Sequence, residues 1–263
     1  MQRKVKTIIL DWAGTTVDFG SMAPVAAFRE AFNAVGLSPG DDLIRCFMGL
    51  PKKEHIRKML RCEEMIAAFQ ERHGQVPGES VVELVYEKFE PALFEVLVEH
   101  ARPIPGVVET IVCLRKEGIL IGSTTGYTRA MMDVLMPVSE ALGYKPDCVI
   151  CPDDVGEIGR PYPYMIWECL KRLGVMDIRE VVKIGDTTAD ILEGRNAGCL
   201  SLGVIYGSNM LGLSKEEYDA AKRSERNHFA EAARESYNEA GADHIIERFA
   251  DLPEFLESLS NAP

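Results

Sequence analysis

The sequence predicts an α/β protein in which a parallel sheet is covered on both faces by helices and a small all-helical segment is inserted after the first strand. Three observations carry that expectation. Short apolar runs rich in β-branched residues recur at Val5–Leu10, Ile119–Thr124, Cys148–Cys151, Val181–Gly185 and Leu200–Ile205, each separated from the next by a helix-period pattern. Residues 21–102 break the rhythm, with helical periodicity only and stops at Gly36, Gly49-Leu50-Pro51 and Gly74 through Gly78. The 263 residues, 46% hydrophobic and 27% charged, suffice for one large or two unequal domains with a real core.

Taken in order, VKTIIL ends abruptly at Asp11 and reads as a buried strand followed by a loop. The helical insert follows, and Pro103-Ile104-Pro105-Gly106 marks the return, since its prolines break a helix and favour an extended hinge. The expected organisation is a core of residues 1–20 and 103–263 and a helical domain of residues 21–102. Ser214–Ala240, rich in charge, reads as a solvated surface helix, and Asp243–Ile246 with Leu252–Leu259 as a final strand and helix. No internal repeat or low-complexity tract is present.

Composition excludes several classes of function. With 29 Lys and Arg against 41 Asp and Glu the net charge is −12, and no basic block exists to neutralise a nucleic-acid backbone. An anionic small molecule remains compatible, provided positive charge is gathered locally. No run of about 18 apolar residues predicts a membrane span. Met1-Gln2-Arg3-Lys4 leads into the first strand without a signal-peptide core, and seven scattered cysteines suit a reducing compartment, so a cytoplasmic protein is expected. Cys148-Val-Ile-Cys151 has CxxC spacing but no second pair, and reads as structural.

In an open parallel sheet, ligands bind beyond the carboxyl ends of the strands, where helix N-termini also gather. The segments at those ends are Asp11-Trp12-Ala13-Gly14-Thr15-Thr16, Thr124-Thr125-Gly126-Tyr127-Thr128, Pro152-Asp153-Asp154 with Gly159-Arg160-Pro161, and Gly185-Asp186-Thr187-Thr188-Ala189-Asp190. Carboxylates, hydroxyls, glycines and one arginine therefore converge on one edge.

This ordered set resembles the haloacid dehalogenase (HAD) superfamily, with its Rossmannoid core and the insert as its cap domain. Within it, DWAGTTVD, MGLPKKEH, GSTTGYTR, PDDVGEIGRPYP and IGDTTADILEGRNAG resemble the phosphonatase family. The resemblance implies hydrolysis of the C–P bond of phosphonoacetaldehyde, Asp11 as nucleophile, and Mg²⁺ held by Asp11, Asp186 and the Ala13 carbonyl. It also implies a homodimer, through the cap helices. Ser21-Met22, at the hinge into the insert, departs from the Cys-aromatic pattern of that family, which puts any thiol role there in doubt.

The residues can be weighed apart from the resemblance. A superfamily phosphatase has a second Asp two positions after the nucleophile as general acid for an alcohol, and here that position is Ala13. A leaving carbanion needs something else: condensation of the aldehyde with a lysine gives an iminium that accepts the C–P electrons as an enamine. Lys52 and Lys53 follow Gly49-Leu50-Pro51, where Pro51 suits the first turn of a helix. Lys52 shares the more apolar face with His55, Ile56 and Met59, so desolvation and the adjacent Lys53 cation are expected to lower its pKa. The family motif also places the Schiff-base lysine at Lys52, and His55 is a candidate proton shuttle.

Thr125 and the N–H groups that follow, Gly126 and Tyr127, suit phosphoryl oxygens at a helix N-terminus, and Arg160 can fork onto two of them. Asp190, one helical turn after Asp186, is expected to position Asp186, water or Arg160 from behind the ligands. Met48 and Tyr127 either line the aldehyde pocket or pack between insert and core. Trp12 either faces the cleft or fills the interface. Two rival functions remain: a phosphomonoesterase or sugar phosphomutase with the same nucleophile, which Ala13 disfavours, and a non-catalytic phosphoryl-sensing protein, which retention of Asp11, Asp186 and Arg160 disfavours.

Overall fold

The structure is a computed structural model describing residues 4–261. Met1, Gln2 and Arg3, part of the expected leaderless start, lie outside the described residues. Six strands form one parallel sheet: β1 (Thr7–Leu10), β2 (Leu120–Thr124), β3 (Cys148–Ile150), β4 (Val181–Gly185), β5 (Leu200–Val204) and β6 (His244–Ile246). Their order is β3-β2-β1-β4-β5-β6, so the winding reverses at β1, and β1 pairs with β2 on one side and β4 on the other. That is the topological switch point, where the crossovers leave a crevice beyond the strand ends.

Alternation along β1 shows why both faces must be covered. Ile8 and Leu10 join the larger apolar core, while Ile9 points into a separate cluster with Met165, Ile166 and Cys169, and all three β1 residues are fully buried. Against the strands pack α6 (Val107–Lys116), α8 (Tyr164–Leu173) and α9 (Thr188–Ala197), while α7 (Arg129–Ala141) and α12 (Leu252–Asn261) contribute to the larger apolar core. The chain order is completed by α1 (Met22–Ala34), α2 (Asp41–Cys46), α3 (Lys52–Leu60), α4 (Glu63–His73) and α5 (Glu79–Leu97) before α6, and α10 (Lys215–Ala220) and α11 (Arg223–Ala240) before β6.

The segment between β1 and α6 is helical throughout its regular structure, as α1 to α5. Its apolar interior is centred on α1 against α5, where the rings of Phe28 and Phe89 stack 4.2 Å apart. Two strands of chain connect it to the sheet, and they are tied together. Val17 bridges to Pro103, and the Asp18 carboxylate accepts from the N–H groups of Met22 and Ala23, both at 3.1 Å, and faces His100 Nδ1 at 2.7 Å. Asp18 thus caps α1 while bonded to the returning chain.

The segment expected to be one surface helix over 214–240 is two. Helix α10 ends at Ala220, and α11 starts after Lys222, whose N–H donates to Glu225. Nor is α11 wholly solvated, because Ala233 and Tyr237 are buried with Ile191, Ile205 and Leu211, and the Tyr237 hydroxyl reaches the Val204 carbonyl of β5. Pro51 also differs from the expectation: it stands just outside α3 as the capping residue, which makes Lys52 the first helical residue.

Candidate active site

The β1 end is built from backbone first. The Trp12 carbonyl accepts from the N–H groups of Thr15, Thr16 and Val17, and Gly14 N–H donates to the Val17 carbonyl, folding the chain into a tight loop just past Asp11. Gly14 has φ 84°, and a Cβ there would overlap the Asp186 carboxylate, so glycine is what lets the loop after β1 approach Asp186 this closely. Thr15 Oγ1 donates to Asp186 Oδ1 at 2.6 Å, and Asn209 N–H donates to Asp186 Oδ2 at 2.7 Å. Trp12 is fully buried with its ring 5.0 Å from that of Tyr144, so it fills the core rather than facing the cleft.

Asp11, Asp186 and Asp190 bring carboxylate oxygens within 4.8 Å of one another, all buried. Their charges are matched unequally. Burial opposes ionisation of Asp190, but the Arg160 and Lys183 cations outweigh it and hold this carboxyl below the usual range. Burial, reinforced by the Asp11 and Asp190 charges, pushes Asp186 well above that range. Asp11 is also raised, with burial only partly offset by Arg160. The pair Asp11 and Asp186 is therefore short of positive charge, and Asp190 is not. Two buried carboxylates with an uncompensated charge are the donor set that a hard divalent cation requires.

Arg160 enters from the segment after β3 and is buried against three carboxylates. Nη2 donates to Asp11 Oδ1 at 2.7 Å and to the Thr124 carbonyl at 2.7 Å, Nε donates to Glu193 Oε2 at 3.0 Å, and Nη1 lies 3.0 Å from Asp190 Oδ1. Asp190 consequently sits behind Arg160 rather than on Asp186. Thr125 lies at the end of β2, where its Oγ1 accepts from Tyr127 N–H at 3.1 Å.

From the insert, the loop before α3 presses onto these core loops. A Cβ on Gly126 would lie 2.8 Å from the Leu50 carbonyl oxygen, so this contact requires glycine. It places Met48, Gly49 and Lys52 around the same cavity, of about 20 Å³, as Asp11, Ala13, Thr125, Gly126, Tyr127 and Arg160. Lys52 is 6% exposed, and its Nζ lies 4.7 Å from the Tyr127 ring centroid and 5.9 Å from that of Phe28. Its pKa is lowered to about 8, chiefly by burial and secondarily by Arg160, against the opposing pull of Asp11 and Asp18. The position at the positive end of α3 acts in the same direction. Lys53 has no part in this. Its side chain turns outward to Glu83 on α5 at 2.7 Å, so the expected effect of an adjacent cation is replaced by desolvation.

His55 is fully buried one turn along α3, with Nε2 2.8 Å from the Ile44 carbonyl, which makes Nε2 the protonated nitrogen and leaves Nδ1 bare. Burial and the Lys52 cation push its pKa well below the ordinary value, so the ring is neutral. Beyond Lys52 and Arg160 a larger cleft of about 1030 Å³ opens between Arg57, Lys58 and Tyr86 of the insert and Asp153, Ile158 and Tyr162 of the core.

The geometry can be set beside known proteins. A family model described as haloacid dehalogenase-like hydrolase matches residues 5–198, and a second, HAD-hydrolase-like, matches 157–252. A phosphonoacetaldehyde hydrolase of Bacillus cytotoxicus is 42% identical over 254 residues, covering 97% of this chain and 96% of that one. The chain belongs to the phosphonoacetaldehyde hydrolase family. A bifunctional phosphonoacetaldehyde hydrolase/aminoethylphosphonate transaminase of Clostridioides difficile is 43% identical over 98% of this chain, which spans 40% of that longer protein. Among solved structures, a phosphonoacetaldehyde hydrolase-like protein of Oleispira antarctica superposes with a TM-score of 0.95 at 34% identity, covering 98% of this chain and 94% of that one.

Three residues at the centre of this family member's site were not singled out from the sequence. Glu193 and Lys183 are both fully buried beside Arg160, and Tyr237 of α11 lies with its hydroxyl 2.8 Å from the Asp186 carbonyl oxygen. A lysine in the middle of the apolar run Val181–Gly185 was the one available signal, because a charge there needs a buried partner. Ser21, with φ 52° at the head of α1, buries its Oγ beside Gly14, and Met22 Sδ accepts from Arg45 Nη2 at 3.3 Å; neither residue lines the small cavity.

Proposed function

We propose that this protein hydrolyses phosphonoacetaldehyde to acetaldehyde and phosphate, with residues 21–102 serving as a cap over a core of residues 1–20 and 103–263. The observation that carries the reading is Lys52. An amine with pKa about 8 shares a cavity with a carboxylate nucleophile, Asp11, and with Ala13 where an alcohol-releasing phosphatase has an acid. At neutral pH about a tenth of such an amine is free, against roughly one part in three thousand for an ordinary lysine.

In this mechanism the free amine of Lys52 condenses with the aldehyde and releases water. His55, neutral with Nδ1 bare, relays a proton from the attacking nitrogen to the departing oxygen, which leaves as water once a second proton arrives from solvent. Asp11 attacks phosphorus, the C–P bond breaks, and its electrons pass to carbon to give an enamine on Lys52. Protonation at carbon and hydrolysis of the imine release acetaldehyde, and water then cleaves the aspartyl-phosphate. Arg160 and the N–H groups of Gly126 and Tyr127 hold the phosphoryl oxygens. Asp11, Asp186 and the Ala13 carbonyl would hold Mg²⁺, which when bound would supply positive charge beside the transferring group.

A cavity of about 20 Å³ has room for little more than one water, so lifting of the cap and its Met48–Lys52 loop would make the room that phosphonoacetaldehyde needs. Closure then excludes water from the iminium. Seven free thiols support a cytoplasmic setting, and no helix among the described residues is long and apolar enough to cross a membrane. The exposed Leu84 and Val98 at helix α5 support dimerisation through the cap, which sedimentation tests directly.

The deciding experiment is Mg²⁺-dependent release of acetaldehyde from phosphonoacetaldehyde, followed by borohydride reduction during turnover. A two-carbon adduct on Lys52 is expected. Faster turnover of sugar phosphates, or an active Lys52→Ala variant, would refute the mechanism.

A further inference from the structure

Beneath Arg160 lies a set of buried charges that the reaction as written does not use. Lys183 projects from the middle of β4 with no solvent exposure. Its Nζ lies 2.8 Å from Asp190 Oδ1 and 3.2 Å from Glu193 Oε2, and it donates to Thr124 Oγ1 at 3.0 Å. Glu193, one turn beyond Asp190 on α9, is equally buried and accepts from Arg160 Nε at 3.0 Å and from Thr124 Oγ1 at 2.9 Å. Thr124 Oγ1 lies 3.1 Å from Arg160 Nη2 as well, so one hydroxyl joins both cations to Glu193.

Stability alone does not account for this cluster. Desolvating several charges in a core costs more than a well-packed apolar set of the same volume, and buried pairs are on balance weak stabilisers. The cluster is also incompletely satisfied, since Glu193 Oε1 and Arg160 Nη1 make no hydrogen bond. What it does control is charge. A lone Arg160 would face Asp11, Asp190 and Glu193 together, and its field would be consumed by carboxylates. With Lys183 present, two cations share Asp190 and Glu193, so these carboxylates draw less on the guanidinium, and more of its charge is left for the Asp11 side, which Nη2 faces.

We propose that Lys183 and Glu193 are a positioning pair that balances the charge behind Arg160 and thereby sets how tightly the site holds a phosphoryl dianion. The inference rests on the reading of Arg160 as a phosphoryl anchor. The pair acts in opposite senses. Lys183 frees Arg160 to bind the anion, while Glu193 aims the guanidinium through Nε and withholds part of its charge, which lets product phosphate leave.

The opposite signs make the test specific. Inorganic phosphate is titrated calorimetrically, in Mg²⁺, into the parent enzyme, Lys183→Met, Glu193→Gln and the double variant, with KM and kcat for acetaldehyde release measured alongside. Lys183→Met should weaken phosphate binding and raise KM by about ten-fold or more. Glu193→Gln, which keeps an acceptor for Arg160 Nε, should tighten phosphate by roughly three-fold or more and lower kcat through slower release. The double variant should return phosphate affinity to within about three-fold of the parent, an offset that two independent packing defects would not give. If Lys183→Met does not fold, the sign for Glu193→Gln decides: tighter binding supports the pair and weaker binding overturns it. A parent that turns over the aldehyde and binds phosphate, beside a folded Lys183→Met with unchanged phosphate affinity, overturns the pair and leaves the functional reading intact. A parent that does neither overturns both.

Discussion

Lys52 Nζ, on the first residue of a helix in the insert, lies 4.7 Å from the ring centroid of Tyr127, which belongs to the loop after β2 of the core. A cationic amine gains from that ring face, yet burial outweighs the gain and draws the pKa down to about 8. The insert and the core therefore share one titrating group, and in the proposed mechanism its protonation sets reactivity as well as stability.

Because the amine reacts only when neutral, kcat/KM for acetaldehyde release should rise about ten-fold per pH unit below pH 8 and level off above it. Stability follows with the same sign. The folded pKa lies below the unfolded value of 10.5, so the unfolded chain binds more protons between about pH 8 and 10.5, and stability rises with pH across that window. Lys52→Met should abolish turnover, raise the melting temperature at pH 7, and flatten the melting temperature between pH 8 and 10. A Lys52→Met protein that melts lower at pH 7 than the parent would show that the ammonium is well accommodated.

Ala13 and Lys52 border the same small cavity, which makes Ala13→Asp a sensitive substitution. A carboxylate there stabilises the ammonium form of Lys52, moves the pH–rate limb up by about one unit or more, and lowers turnover at pH 7 by roughly ten-fold. The same carboxylate supplies the acid that an alkoxide leaving group requires, so slow hydrolysis of small phosphate monoesters should appear. Parallel assays on phosphonoacetaldehyde and p-nitrobenzyl phosphate across pH 6.5–9.5 check both halves.

Much of this was legible before the structure. The strands came from mostly apolar runs that stop at Asp11, Thr124 and Gly185, since strands buried on both faces leave little ambiguity of period, and the parallel order then gathers those ends on one edge. Lys52 and His55 were legible because i and i+3 positions share a helical face. Charge balance was not. Whether Asp190 serves Asp186 or Arg160 depends on Lys183, 7 residues earlier on a different element, and no local pattern reports that pairing. Tyr237 escaped for a related reason: in a charge-rich helix one aromatic looks solvent-facing until a strand packs on it.

Asp186 provides a readout for the metal independent of turnover. Its carboxyl is buried with too little positive charge around it, so Mg²⁺ should raise the melting temperature at pH 7, with the shift shrinking as pH falls and protons compete for the carboxylates. Asp186→Asn should lose the Mg²⁺ shift while folding normally without metal, because the amide oxygen can still accept from Asn209 N–H while its NH2 donates to Thr15 Oγ1, whose hydroxyl can turn to accept. Differential scanning fluorimetry with and without EDTA measures this, and an undiminished Mg²⁺ shift in Asp186→Asn would move the ligand set elsewhere.

Arg45 of helix α2 in the insert links that helix to the same carboxylate. Its Nη1 donates to the Gly20 carbonyl at 2.6 Å and lies 3.1 Å from the carbonyl and 3.0 Å from Oδ1 of Asn209, whose backbone N–H in turn donates to Asp186 Oδ2. Asn209 Nδ2 returns a bond to the Arg45 carbonyl at 3.2 Å, so the contact is reciprocal. Charged donors on neutral acceptors are worth about 1.5–3 kcal/mol each when both ends are shielded, enough to bias a hinged insert toward its seated position. Arg45→Met should therefore speed amide exchange in Phe47–Leu50 by about ten-fold or more, increase cleavage of that loop by protease, and lower kcat, while exchange in β1 and β4 stays at the parent rate. Equal acceleration in the sheet would mean that Arg45 supports the whole fold; acceleration confined to the loop would make it the latch that holds Lys52 over Asp11.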